Sequence, residues 1–507
     1  MKFFRTDQVK EIDEYTIKHE PVTSIDLMER AAGELYKWIS ERFDQSVRII
    51  VFTGPGNNGG DGLALARMLL INSYSVVVYY VEFTENVTPD WAINRLRLEE
   101  VSKEPLNYLK SSNQFPVIFT GDIIVDAIFG SGLTRRVEGL AAEVIKLINK
   151  YDNIVISVDI PSGLQGEYNE SSGYEEVIKA DYTLSFQFPK LSFMFAENGP
   201  YVGEVVILSI GLKYNESGMN SPYTFLENRD IFPLIKKRNK FDHKGNFGHG
   251  LLVAGSFGKM GAAVLGAKAA LRTGIGLITC HLPLCGIKIV QTAIPEAMVE
   301  ADKSEKFISE VESTDTYSAI GIGPGMGKEQ DTRKALYQLL KEYKKPIVID
   351  ADALNILSLN KEWFTLLSAS TILTPHLKEF ERLAGESASG YLRLIKQIEF
   401  SEKYKCVIVL KGANTSITTP GGKVFFNSTG NPGMAKGGSG DVLTGILLSL
   451  LAQGYSPEDA AVTGVYLHGL AADIAVEESC YESIIASDII NNIDKAFNRI
   501  RELNYEL

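Results

Sequence analysis

Twice along its length this chain alternates short apolar runs with amphipathic stretches, and that rhythm leaves few folds open. Apolar runs at 47–53, 75–81, 123–129 and 154–159 are separated by helix-length stretches at about 60–71, 89–101 and 139–150. Strand-like runs at 181–186 and 204–209 close the first series. Strands that are apolar throughout leave no face for water, so the pattern predicts a parallel sheet covered by helices on both sides. Two helices are expected ahead of it, within 6–41, where Ile25, Met28, Ala32, Leu35 and Ile39 recur at helical spacing. Residues 211–222 then lose all periodicity and gather turn formers, as a linker does. A second alternation starts at 251–254, with strands expected near 276–281, 318–322, 346–350, 371–374 and 406–410. Its helices fall at about 259–273, 329–342, 376–384, 390–404, 438–452 and 457–477. The expectation is two α/β domains, residues 1–215 and 225–507, and a chain of 507 residues is long enough for more than one core.

Composition narrows the function. The chain carries 51 basic and 63 acidic residues, a net charge of −12, whereas a nucleic-acid partner calls for a basic footprint. The start, Met-Lys-Phe-Phe-Arg, lacks the apolar core of a signal peptide, and no apolar run approaches the roughly 18 residues that span a bilayer. Cys280, Cys285, Cys406 and Cys480 form no C-x-x-C pair and are expected to be reduced, mostly buried thiols. A cytoplasmic protein with small-molecule partners is expected, with no nucleic acid and no membrane, as a homo-oligomer. A basic cluster at 236–240 reads as solvated surface.

Between the first strand and its helix stands Thr53-Gly54-Pro55-Gly56-Asn57-Asn58-Gly59-Gly60-Asp61-Gly62. Gly54, Gly56 and Gly59 match G-x-G-x-x-G, and Glu82 ends the next strand, which is the dinucleotide fingerprint in its proper context. Two residues argue against a dehydrogenase. Pro55 removes an N–H that could face a phosphate, and Asp61, at the expected helix N-terminus, would repel a pyrophosphate. A carboxylate and two amides suit hydroxyls, amides or a cation better; a helix-capping Asp in a tight turn is the plainer alternative.

Two other loops follow neighbouring strands and should converge on the same crevice. They read Val125-Asp126-Ala127-Ile128-Phe129-Gly130-Ser131-Gly132-Leu133 and Val158-Asp159-Ile160-Pro161-Ser162-Gly163-Leu164. Each puts an aspartate at the end of an apolar strand, where a carboxylate needs a partner. Asp126, Ser162 and Asn58 offer only oxygen ligands, which suits a hard cation. Asp159 is left as an acid/base candidate or, more simply, a helix cap.

Together these loops, with Leu27-Met28-Glu29-Arg30-Ala31-Ala32-Gly33, resemble the NAD(P)H-hydrate epimerase family over about 1–215. The resemblance implies a Rossmann-like three-layer αβα domain that interconverts the R and S forms of hydrated NADH and NADPH. It implies K+ held by Asn58, Asp126 and Ser162. Substrate contacts are implied for Asn57, Asn58, Gly59, Gly60 and Asp61, for Gly130, Ser131, Gly132, Leu133, Thr134, Arg135 and Arg136, and for Asp159. The last would be the proton-transfer residue.

In the second half, Thr429-Gly430-Asn431-Pro432-Gly433-Met434-Ala435-Lys436-Gly437-Gly438-Ser439-Gly440-Asp441 leads into an apolar helix. Consecutive glycines leave N–H groups free to point at an anion, and the helix dipole adds positive potential. That makes a hole for a transferring phosphoryl group, with Asp441 placed to take a proton from an approaching hydroxyl. G-K-S/T is absent, so this is not a Walker loop; a helix-capping glycine turn is the alternative. The arrangement resembles the ribokinase-like αβα fold, in which such an Asp serves as base. Three companions agree. Pro324-Gly325-Met326-Gly327 ends a strand, and Val348-Ile349-Asp350-Ala351-Asp352 puts two acids at a strand end, near a magnesium. Thr374-Pro375-His376 starts a helix, with Thr374 read as its cap. Lys411-Gly412-Ala413-Asn414-Thr415 follows an apolar strand and could line a nucleotide.

Within that fold the details are most similar to NAD(P)H-hydrate dehydratase, over about 225–507 and including His243-Lys244-Gly245. The resemblance implies that ADP or ATP with Mg2+ drives removal of water from the S hydrate. It places Gly325, His376 and the base Asp441 on the hydrate, and Lys411, Gly412, Ala413, Asn414, Thr415, Asn431, Gly437, Gly438, Ser439 and Gly440 on the nucleotide. One departure stands out: the family commonly has Pro-Gly after Thr-Pro-His, where this chain has Leu377-Lys378. The leading expectation is a fused repair enzyme for NAD(P)H hydrates. A ribokinase-like vitamin-precursor kinase fused to a nucleotide-binding domain is the alternative, and a non-catalytic nicotinamide-nucleotide sensor has no use for Asp159 or Asp441.

Overall fold

A computed structural model describes residues 1–102, 106–169, 174–215, 219–312 and 314–502. Of the expected linker, residues 216–218 lie outside the described residues. The chain divides into two compact units, residues 2–221 with 388–391, and Met1 with 222–387 and 392–507.

The N-terminal unit is built on seven strands: β1 (Arg48–Thr53), β2 (Ser75–Val81), β3 (Asn107–Leu109), β4 (Ile123–Ala127), β5 (Ile154–Val158), β6 (Tyr182–Phe186) and β7 (Glu204–Leu208). All pair in parallel, in the order β3-β2-β1-β4-β5-β6-β7. β1 and β4 have their side chains buried on both faces because helices cover both. On one face Leu35, Ile39, Leu63, Leu69 and Trp91 pack over Val51 and Val125. On the other, Val144, Ile145 and Ile148 pack over Ile50, Phe52 and Ile124. The helix Ser24–Ser40 shows how local signals set an element: Thr23 accepts from the Asp26 N–H at its start, and Leu27, Met28, Ala31, Leu35 and Trp38 form its buried stripe. Strand order reverses between β1 and β4, so the crevice opens at their C-terminal ends.

In the C-terminal unit the strands are β8 (Tyr223–Phe225), β9 (His249–Val253), β10 (Leu277–Leu282), β11 (Met298–Ala301), β12 (Ala319–Ile322), β13 (Ile347–Ile349), β14 (Thr371–Leu373), β15 (Val407–Leu410), β16 (Ser416–Thr418) and β17 (Val424–Phe426). Their order is β11-β10-β9-β12-β13-β14-β15-β16-β17-β8, with the switch between β9 and β12. Two apolar clusters lie on opposite faces, one under helices Ser439–Ala452 and Pro457–Glu477, the other under helices Gln330–Glu342 and Ala351–Leu359. Each unit is therefore a three-layer αβα sandwich, as the alternation predicts.

The purely parallel expectation needs correcting at one edge. β15, β16 and β17 are joined antiparallel, and β8 pairs with β17 in parallel. The three-residue strands β16 and β17 are too short for a two-residue period to register in sequence. Among the described residues no helix is long and apolar enough to cross a membrane. The four cysteines are free, with Cys280 and Cys406 buried and Cys480 exposed.

Candidate active sites

In the N-terminal unit the helix after β1 begins at Asn57, with Gly56 as its cap, three residues earlier than the sequence suggests. Asp61 is thus one turn inside the helix rather than at its N-terminus. Close packing explains the early start: a Cβ on Gly59 would lie 1.9 Å from the Gly54 carbonyl oxygen, so the loop can close only with glycine there. The Asn58 amide then donates to the Phe129 carbonyl at 2.8 Å. Ser162 Oγ accepts from the Phe129 N–H at 2.8 Å and donates to Asp126 Oδ1 at 2.5 Å. Asp126 is wholly buried, and Oδ2 accepts from Ser157 Oγ and the Ser162 N–H, each at 2.8 Å. Burial pushes its carboxyl up from the ordinary range, against the serine hydrogen bonds. Asn58, Asp126 and Ser162 do converge, around the Phe129 peptide.

Asp159 follows β5 with φ +66°, a left-handed backbone that is strained for a non-glycine residue. Its carboxylate is buried against Lys190, whose Nζ lies 2.7 Å from Oδ1. Lys190 comes from the loop after β6, the sheet neighbour of β5. Two more acids act on this pair. Burial and the charge of Asp159 push Asp13, from helix Thr6–His19, up to about 6. Burial and the charges of Asp159 and Asp13 raise Asp61 well above the ordinary range.

The predicted contact loop from Gly130 is a turn, closed by the Leu133 N–H on the Gly130 carbonyl at 3.3 Å, and Thr134 and Arg135 are exposed. Arg136 does not offer a free guanidinium: Nε and Nη2 bind Glu176 at 3.1 and 2.9 Å.

In the C-terminal unit Gly438 caps helix Ser439–Ala452 with φ +96°, which turns the chain sharply into its first N–H groups. Asp441 stands in that first turn. Burial and the neighbouring Asp350 raise its carboxyl to about 6, with Lys411 pulling the other way. Asp350, at the end of β13, is buried and keeps both oxygens engaged, Oδ1 with Lys411 Nζ and Oδ2 with Thr444 Oγ1, each at 2.9 Å. A Cβ on Gly440 would come within 3.4 Å of Lys411 Nζ and 3.8 Å of Asp350 Oδ2, so the glycine turn faces this pair. The second acid, Asp352, accepts from the Gly327 N–H at 3.1 Å and lies 3.4 Å from Lys259 Nζ.

His376, not Thr374, caps helix Leu377–Ala384: its Nδ1 accepts from the Glu379 N–H, and the Glu379 carboxylate accepts from the His376 N–H at 2.9 Å. The Thr374 hydroxyl is buried and donates to the Ile349 carbonyl at 3.3 Å instead. The His376 side chain is half-exposed, and a parallel bridge joins His376 to Lys411. Gly412 to Thr415 form a turn closed by the Thr415 hydroxyl, with Gly412 and Ala413 exposed and Asn414 half-buried. Asn431 Nδ2 donates to Asp473 at 2.9 Å, and Ser439 lies 3.3 Å from His468, a histidine that burial lowers to about 4. The Gly325 carbonyl accepts from Ser256 Oγ at 2.7 Å.

Sequence reasoning passed over Lys190, Asp13 and Thr444. The signal for Lys190 was present: a lysine behind Phe188-Pro189 on an apolar stretch needs a buried acid, and the strand before it neighbours the one ending in Asp159.

Comparison with known proteins bears on both units. The family described as YjeF-related protein N-terminus matches residues 24–192, and the family described as NAD(P)H-hydrate dehydratase matches residues 250–495. The chain is 33% identical to the Bifunctional NAD(P)H-hydrate repair enzyme Nnr of Thermofilum pendens, over 99% of this chain and 97% of that one. It is 34% identical to the protein of the same name from Coxiella burnetii, over 97% and 98%. Among solved structures it is similar to an ADP/ATP-dependent NAD(P)H-hydrate dehydratase from Bacillus subtilis co-crystallized with ATP/Mg2+. That likeness has 29% identity and a TM-score of 0.47 over 55% of this chain and 98% of that one.

Proposed function

The chain belongs to the family of bifunctional NAD(P)H-hydrate repair enzymes, and from that premise we propose how its two units divide the work. It epimerises the R and S forms of hydrated NADH and NADPH, and it dehydrates the S form to NAD(P)H at the expense of ADP or ATP. The N-terminal unit carries the epimerase and the C-terminal unit the dehydratase, in the cytoplasm. One observation carries this assignment: each unit sets a carboxylate, Asp159 or Asp441, in a largely buried position beside a glycine-rich loop of its crevice.

For dehydration, hydroxide is a poor leaving group and phosphate a good one. Asp441 takes the proton of the hydrate hydroxyl, and that oxygen attacks the terminal phosphorus of the nucleotide. The N–H groups of Gly437, Gly438, Ser439 and Gly440 stabilise the charge on the transferring phosphoryl group. The phosphorylated carbon then loses phosphate, and loss of a proton from its neighbour restores the ring. His376 and Gly325 contact the hydrate, while Asn431 and residues 411–415 hold the nucleotide. Asp350 and Asp352 each have protein partners, so Mg2+ would take its ligands chiefly from nucleotide phosphates and water, as is usual for this ion. Bound there, the ion neutralises phosphate charge.

In the epimerase Asp159 moves the proton, and Asn57 to Asp61 with Gly130 to Arg136 contact the hydrate. Asn58, Asp126 and Ser162 fit K+. They bring only oxygen donors to a wholly buried carboxylate that no cationic side chain among the described residues offsets. Bound there, the ion compensates the charge of Asp126.

Incubation of hydrated NADH with the protein and ADP or ATP tests the reading. NADH and inorganic phosphate are expected in equal amounts; a stable phosphomonoester would mark a small-molecule kinase instead.

A further inference from the structure

Lys190 is among the most buried charged residues of the N-terminal unit, its side chain 4% exposed. Its three N–H groups have three acceptors: Asp159 Oδ1 at 2.7 Å, Ser185 Oγ at 3.0 Å and the Phe188 carbonyl at 3.3 Å. None remains for a substrate, so Lys190 cannot serve as the acid. On the other side of the contact, Asp159 Oδ1 also accepts from the Phe186 N–H at 3.2 Å, while Oδ2 has no hydrogen bond among the described residues. The left-handed backbone at Asp159 and these bonds together fix which oxygen is held and which is left.

We propose that Lys190 is the positioning residue of the epimerase: it clamps Oδ1 of Asp159, so that Oδ2 is the oxygen left to meet the hydrate as the base. This rests on the reading of Asp159 as the proton-transfer group. Water adds to an enamine with its hydroxyl on the carbon that bears the nitrogen, so the epimeric carbon holds both a hydroxyl and the ring nitrogen. Oδ2 takes the hydroxyl proton, the O–H pair becomes the second C=O bond, and the C–N bond breaks with its electrons on nitrogen, spread into the carboxamide. Rotation about the adjacent C–C bond turns the other carbonyl face to the nitrogen. The C–N bond reforms and Asp159 returns the proton. Nothing is oxidised or reduced. The Asp159 carboxylate acts on Asp13 and Asp61, with Glu14 also acting on Asp13 and Asp90 on Asp61, and Lys190 is the cation that acts on Asp13. Asp13 and Asp61 are both raised by burial and by the charge of Asp159, and Asp61 by Asp13 as well, which limits the negative charge the lysine must offset.

Steady-state epimerisation over a range of pH, on the full-length chain, tests this. Lys190→Met should lower kcat by about 10²-fold while KM moves less than about threefold. The acid limb of the profile should shift to higher pH, because Asp13 loses the cation that lowers it. Propylamine should restore part of the rate to Lys190→Ala. Ser185→Ala keeps the lysine but removes one of its acceptors, and should shift the limb in the same direction by less, which covers the case of a Lys190 variant that does not fold. A limb unmoved in both Lys190→Met and Ser185→Ala would overturn the proposal. Asp159→Asn separates the two levels: if it epimerises normally, the reading of Asp159 itself is wrong. If it is inactive while Lys190→Met behaves as the native chain, only the role of the lysine fails.

Discussion

In the role proposed for it Asp441 has to be ionised to take a proton, yet burial and the charge of Asp350 raise its carboxyl to about 6. Above that value the carboxylate is present and dehydration runs; as pH falls through about 6 the base is protonated and the rate is lost. The kcat of dehydration should therefore rise along an acid limb near pH 6 and level off above it. Asp441→Asn should lower kcat by about 10²–10⁴-fold with the hydrate KM little changed. A profile flat down to pH 5 would remove Asp441 from the role. At this scale much of the candidate site could be read without coordinates. Asn58, Asp126, Asp159, Ser162 and Asp441 all sit in local strings whose spacing relative to a strand end or helix start is set by the chain itself. Long side chains could not be read that way. Arg136 and Lys411 look like free ligands for anions, but Glu176 and Asp350 take them up across 40 and 61 residues of sequence. Lys190 meets Asp159 only because β6 lies beside β5.

In its proposed role helix Ser439–Ala452 has to do two things at once: present its N-terminus to a phosphoryl group and pack its flank against helix Met260–Arg272. Gly445 makes the second possible. A Cβ there would lie 2.0 Å from the Gly266 carbonyl oxygen and 2.9 Å from the Ala269 Cβ. Gly445→Ala should force the helices apart and cost at least about 1–3 kcal/mol, read as a lowered Tm. The dehydratase should lose rate with it, since Asp441 rides on the same helix. An unchanged Tm would mean that the contact yields freely. Element by element, the strands that bury both faces were legible because an uninterrupted apolar run of strand length, set between amphipathic stretches, must be shielded from water on every side. The hairpin of β15, β16 and β17 was not, as three residues carry too little pattern. The helix at Asn57 starts ahead of its sequence signal because Asn-Asn-Gly-Gly is a poor helix former, and the close approach of Gly59 to Gly54 decides the outcome instead.

For the molecule as a whole, a net charge of −12 sits oddly with a protein that handles anionic nucleotides in two places. In the proposed dehydratase the backbone N–H groups at the start of helix Ser439–Ala452 answer this, because such groups bind phosphate without a basic surface and without drawing in nucleic acid. Fusing two activities also makes sense of the substrate, since damage that yields both epimers is repaired in full only if one unit supplies the form that the other consumes. One experiment measures that division of labour directly. A mixture of R and S hydrates of NADH is given to the native chain, to Asp159→Asn and to Asp441→Asn with ADP or ATP, and the return of NADH absorbance is followed. Complete recovery is expected with the native chain, recovery of the S share alone with Asp159→Asn, and none with Asp441→Asn. Recovery in Asp441→Asn at the native rate, or loss of both epimers in Asp159→Asn, would contradict it.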